Sequence, residues 1–123
     1  MSINLTSTFL AAKRSANLVM FSRTVGTTST PLNGPGGSTA CGYPMPLNGR
    51  ALKLSVYDGS MVRTTTYTIE LSVGDRISLY ATYINPTFTV SLVLNDGETL
   101  LHVTGCAANS VLQATVLLQL EEE

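Results

Sequence analysis

The side chains able to do chemistry are few. The chain has one histidine, His102, and two cysteines, Cys41 and Cys106. Nucleophilic hydrolysis needs a base to take the proton from the nucleophile and an acid to orient that base, so His102 would be obligatory. It stands between Leu101 and Val103 with no carboxylate within two positions, and no serine occupies a Gly-x-Ser-x-Gly turn. His102 therefore reads as a packed or interfacial residue. Paired-carboxylate hydrolysis needs two acids held across a cleft, yet Asp58, Asp75 and Asp96 each adjoin a glycine, where aspartate serves backbone turns. Two cysteines and one histidine fall short of a closed tetrahedral zinc site. Asn33-Gly34-Pro35-Gly36-Gly37 lacks the Lys-Ser/Thr of a phosphate loop, and Asn95-Asp96-Gly97-Glu98 lacks the further oxygen ligands that calcium requires and reads as a hairpin. This inventory predicts a non-enzymatic protein with no cofactor and no metal.

Two smaller sets of residues carry other possibilities. Cys41 and Cys106 both fall in stretches read as Gly-rich loops. They could be free thiols in a reducing cytosol, form one intramolecular bridge if their Cα atoms approach within about 7 Å, or cross-link different subunits. Tyr43, Tyr57 and Tyr80, if exposed, could stack on sugar rings while Asn and Thr side chains supply hydrogen bonds. Tyrosines on strand faces also serve as half-buried packing residues.

The elements that must position these residues follow from hydropathy of period two, which sends successive side chains to opposite faces of a strand. Leu52, Leu54 and Val56 alternate with Lys53, Ser55 and Tyr57 before a tight turn at Asp58-Gly59. Arg63–Leu71 sets Thr64, Thr66 and Thr68 against Tyr67, Ile69 and Leu71, and Gly74-Asp75 ends that run. Ile77, Leu79, Ala81 and Tyr83 share a face of the next strand, which Asn85-Pro86 closes. Phe88, Val90, Leu92 and Leu94 mark another, followed by the Asn95-Asp96-Gly97 hairpin and a return over Thr99–Thr104. Gly105–Ser110 reads as a loop. Leu112, Ala114, Val116, Leu118 and Leu120 point inward from a last strand, preferred to a C-terminal helix. Leu18–Val25 is a strand, whereas Thr27–Asn48, with four prolines and four glycines between Pro31 and Pro46, reads as a long loop or short edge segments.

Short strands joined by turn chemistry, with no helical pattern between them, predict an all-β antiparallel sandwich, jelly-roll-like. The expected organisation is an N-terminal arm or first strand over 1–17, one sandwich domain over 18–120 and an acidic tail over 121–123. Ile3, Leu5, Ser7 and Phe9 alternate with Asn4, Thr6 and Thr8. That pattern suits a first strand of the same domain or a strand donated to a neighbouring subunit.

A strand ending in Asp58-Gly59, a Thr-rich strand, and then Val73-Gly74-Asp75-Arg76-Ile77-Ser78-Leu79 leading into a further alternating strand resemble the tumour-necrosis-factor-like jelly-roll modules. These modules occur in bacterial spore-surface proteins, endospore appendages and phage virion proteins. The likeness covers Arg50–Leu120, and residues before Arg50 depart from it. It implies a trimeric or polymeric structural subunit and carries over no functional residue.

Composition points the same way. Hydrophobic residues make up 44% and charged residues 12%, about half the usual charged share of a globular domain. An isolated sandwich would therefore expose much Thr and Leu, which further copies of itself would cover. With a net charge of -1 there is no basic field for nucleic acid. No apolar run reaches the length of a membrane span. The N-terminus lacks the charged and apolar regions of a secretory signal. The reading is a self-assembling trimer, fibre or shell subunit, made in the cytoplasm and then carried on an extracellular particle, a spore surface or a virion. Its partners are itself, with other particle proteins or glycans as further candidates. The alternative is a glycan- or receptor-binding tip or a capsid decoration protein.

Overall fold

The computed structural model describes residues 14–34, 43–95 and 97–121. In chain order its strands are β1 (Arg14–Val25), β2 (Thr30–Pro31), β3 (Tyr43–Pro44), β4 (Gly49–Tyr57), β5 (Val62–Leu71), β6 (Arg76–Ile84), β7 (Thr87–Leu94), β8 (Glu98–Ala107) and β9 (Ser110–Glu121). They form two antiparallel sheets packed face to face. Sheet one has the order β1-β9-β4-β5; sheet two has the order β2-β6-β7-β8, with β3 also paired to β6. The chain is an all-β sandwich, as its period-two pattern requires. The last strand lies between the first and the fourth, so sheet one closes only when the C-terminal residues arrive.

The inward side chains of both sheets make one core. Leu112, Ala114, Val116, Leu118 and Leu120 from β9 meet Leu54 and Val56 of β4, and from the other sheet Ile77, Leu79, Ala81, Phe88, Val90 and Leu92; all are buried. Each fully buried Leu, Ile, Val or Phe contributes about 1.5–3 kcal/mol relative to exposure. The core therefore supplies the apolar stabilisation between the two sheets.

Several expectations need correction. β1 begins at Arg14, four residues before the strand expected over Leu18–Val25. Leu52 does not join Leu54 and Val56 inside. Ala51 takes the inward place and Leu52 is only half-buried, because β4 carries one extra residue against β9 between Ala51 and Lys53. This bulge shifts the alternation by one. It follows a close approach at Gly49, where an added Cβ would sit 2.3 Å from the Gln119 carbonyl oxygen. The turn at Asp58-Gly59 is a longer loop, Asp58–Met61, with positive φ at Gly59 alone. Of the loop expected over Gly105–Ser110 only Ala108-Asn109 lie outside strands: β8 continues to Ala107 through a second bulge, where Gly105 has φ +79°. The predicted edge segments within 27–48 are present as β2 and β3, and Asn33 bridges Ser22 of β1.

Candidate functional site

At one end of the sandwich a buried carboxylate joins the two sheets. The alternation that buries Leu54 and Val56 continues past the end of β4 to Asp58, which is 3% exposed and is the sole buried charged or polar residue among those described. Its Oδ1 accepts hydrogen bonds from the Ser60 and Met61 amides (3.0 and 3.1 Å) and from Ser60 Oγ (2.9 Å). Its Oδ2 accepts from Arg63 Nη1 and, at 2.9 Å, from the Ala107 amide at the end of β8. Burial pushes this carboxyl upward, but the donors from Ser60, Met61 and Ala107 outweigh it and hold Asp58 well below the usual carboxylate range. The arrangement ties the β4–β5 hairpin of sheet one to the last residue of β8 in sheet two. Its chemistry is structural: both oxygens are engaged and the group exposes almost no surface.

From this latch an open seam runs between the outer edges of β5 and β8. It is a groove of about 570 Å³, lined by Arg63, Thr65 and Tyr67 on one side and Leu100, His102 and Thr104 on the other. One side-chain hydrogen bond crosses it, from Thr65 Oγ1 to the His102 carbonyl at 2.8 Å. His102 is exposed on β8 and lines the groove. No group of three or more His, Cys, Asp or Glu side chains placed to hold a metal ion occurs among the described residues.

The sheet edges that lack a partner strand among the described residues differ in regularity. Against β7, β8 carries two bulges, and β5 carries one against β4; irregularities of this kind blunt an edge against pairing with another chain. β1 keeps unbroken register with β9 from Arg14 to Val25. Beyond Ser22, where Asn33 bridges it, nothing among the described residues pairs with its outer edge. Its outward face carries Leu18 and Met20, 66% and 69% exposed. Leu18 lies beside Leu117 of β9, which in turn lies beside Lys53 of β4.

The tyrosines do not converge. Tyr43 is half-buried against the core, Tyr57 is exposed at the end of β4 in sheet one, and Tyr80 is exposed on the outer face of sheet two. Tyr80 lies in a shallow groove of about 410 Å³ with Pro31, Ser78, Thr82, Ser91 and Thr99. Cys106 is a buried free thiol within β8 rather than in a loop. Burial pushes it up to about 11, with Arg63 lowering it and Asp58 raising it further. Cys41, the residues Ile3, Leu5, Ser7 and Phe9 read as a first or donated strand, Asp96 and the last two glutamates lie outside the described residues.

Asp58 is the site residue that reading the turn alone missed. The signal was present: Leu54, Val56 and Asp58 share one phase, which puts a carboxylate on the core face just where a strand ends. Comparison with known proteins adds no precedent, since no family model, curated protein or solved structure matches this chain.

Proposed function

We propose that this chain is a non-enzymatic, self-assembling structural subunit, building a trimer, fibre or shell on a spore surface or a phage virion. The observation that carries the reading is β1, which among the described residues lies at the edge of sheet one, keeps unbroken register with β9 and turns Leu18 and Met20 outward. Edges of this form template pairing with other chains, and proteins that stay monomeric usually blunt them. Charged residues at only 12% provide little repulsion against such contact. The core is complete within one chain, so the subunit is expected to fold first and assemble afterwards.

Light scattering and negative-stain electron microscopy of the purified chain test this. Discrete oligomers, fibres or shells are expected, and a monodisperse 13.1 kDa particle across the accessible concentration range would refute it.

A second reading, a glycan-binding tip, is favoured by the Tyr80 groove alone, where an exposed ring stands among Ser78, Thr82, Ser91 and Thr99. A glycan array comparing the parent with Tyr80→Ala decides it: binding lost in the variant supports the groove, and no binding by the parent removes it.

A further inference from the structure

We propose that the outer face of sheet two binds an uncharged oligosaccharide laid across its strands, from Pro31 on β2 through Tyr80 and Ser91 to His102 on β8. This rests on the reading of the Tyr80 groove as a carbohydrate site and extends it from one contact to a chain of sugar residues.

Register puts these four side chains in one row. Pro31 pairs with Tyr80, Tyr80 with Ser91, and Ser91 with His102. Residues directly opposite each other project from the same face of a sheet. Their chain neighbours Leu32, Leu79, Leu92 and Val103 are buried in the core, so the row faces outward. Neighbouring strands lie about 4.8 Å apart, which sets Tyr80 and His102 roughly 10 Å from each other, with Pro31 one spacing further along. The row starts in the groove of about 410 Å³, which Pro31, Tyr80 and Ser91 line, and it ends at His102 in the seam groove of about 570 Å³. Three of its four side chains are rings, and both Tyr80 and His102 are exposed.

The chemistry beside the row selects the ligand. Ser78 and Thr99 flank it on one side of the face, and Thr82, Thr89 and Thr104 on the other. No Lys, Arg, Asp or Glu stands among these residues. Their hydroxyls, and those of Tyr80 and Ser91, make no hydrogen bond within the chain among the described residues. Elsewhere hydroxyls are engaged: Thr65 donates to the His102 carbonyl, Ser110 donates to the Ala107 carbonyl, and Ser29 accepts from the Tyr83 amide. Each hydroxyl on the face is therefore free to give and to accept.

Other ligand classes fit this face poorly. An extended peptide recognises the main chain of a sheet edge, and in the middle of sheet two those groups belong to the ladder. A phosphate chain needs cations, and an apolar partner needs a continuous apolar patch. A neutral sugar matches what is present. Its apolar ring face can lie on Tyr80, His102 or Pro31 while the hydroxyls at its rim meet serine and threonine. One strand spacing is close to the length of one pyranose residue in an extended chain, so successive sugars fall over Tyr80, Ser91 and His102 in turn. The ladder holds these contacts in position before the ligand arrives, which lowers the ordering cost of binding.

Affinity as a function of glycan length tests this. An array of neutral and acidic linear glycans, graded from mono- to hexasaccharides, identifies the tightest ligand of the parent, and that glycan and its shorter forms are then titrated calorimetrically. The parent is expected to prefer neutral glycans, with affinity rising from mono- to trisaccharide. His102→Ala should weaken trisaccharide binding by roughly threefold to tenfold, the worth of one stacked ring, and leave monosaccharide binding unchanged. Tyr80→Ala should weaken both, with a β circular dichroism spectrum retained in each variant. His102→Gln, which removes the ring and keeps a polar side chain, replaces His102→Ala should that variant not fold. If Tyr80→Ala abolishes binding while the His102 variant holds the trisaccharide as the parent does, the extended row is overturned and the Tyr80 groove stands. A preference for acidic glycans overturns the uncharged class. Parent oligomers that dissociate on His102 substitution, seen by light scattering, would assign the row to contact between copies and overturn the inference. No binding by the parent, or binding that Tyr80→Ala leaves intact, overturns both the row and the groove.

Discussion

Replacing Asp58 with Asn should cost about 3 kcal/mol of folding stability. The carboxylate gathers five donors on two oxygens. An amide of the same shape offers one acceptor oxygen and turns its NH2 toward donors. If the remaining oxygen faces Arg63 and Ala107, the Ser60 and Met61 amides lose their acceptor, but both residues are exposed and water can replace it. The larger loss is charge: breaking a buried ion pair costs about 3–5 kcal/mol, and the Arg63 side chain, 28% exposed, is partly rehydrated, which puts the effect near the lower bound. For a chain of this size that is a fall in midpoint of roughly 12 °C.

The pH dependence gives an independent reading of the same contact. Because the folded carboxyl binds its proton more weakly than the unfolded one, its contribution is complete above the unfolded value of about 3.9. As pH falls below that value the unfolded chain takes up the proton first, and the contribution is withdrawn at up to about 1.4 kcal/mol per pH unit. Urea titrations of parent and Asp58→Asn should therefore differ by a constant amount from pH 5 to 7 and converge from pH 4 towards pH 2. A difference under about 1 kcal/mol at pH 7, or a gap of the same size at pH 2.5 and pH 7, would show that the latch contributes nothing through its charge.

Three further outcomes follow from the fold. Gly49→Ala should lower stability by more than about 2 kcal/mol, since the new Cβ would meet the Gln119 carbonyl backbone at 2.3 Å; a urea midpoint equal to the parent's would show that β4 and β9 separate freely there. In a Cys41→Ser background, the Cys106 thiol should react with a thiol reagent only at the rate of unfolding, because it is buried and stays protonated at neutral pH; rapid stoichiometric labelling of the native protein would contradict this. Thr65→Val should cost about 1 kcal/mol and speed amide exchange along β8, with unchanged exchange arguing that the seam is held by other contacts.

Strand identity was open to local reading because each strand needs only its own alternation. β9 shows this best: Leu112, Ala114, Val116, Leu118 and Leu120 are all buried, as period two requires. Leu52 shows where the reading stops. No residue near it announces a bulge; the bulge arises because β4 must pair with β9 on one side and β5 on the other, and the two partners slip by different amounts. Gly105 is similar. A glycine followed by small residues and then Asn109-Ser110 looks like a loop, yet within β8 it supplies the positive φ that lets Cys106 return to the core face.

The candidate site divides along the same line. Period two and turn chemistry, both short-range, determined an all-β chain, its main inward faces, and the phase that carries Asp58 towards the core. Which amide Asp58 finds across the sandwich, and that among the described residues β5 and β8 carry bulges at their sheet edges while β1 keeps unbroken register with β9, were decided only by the tertiary structure. Those features depend on how strands far apart in the chain stack and slip against one another, and a side chain's neighbours along its own strand carry no record of that register.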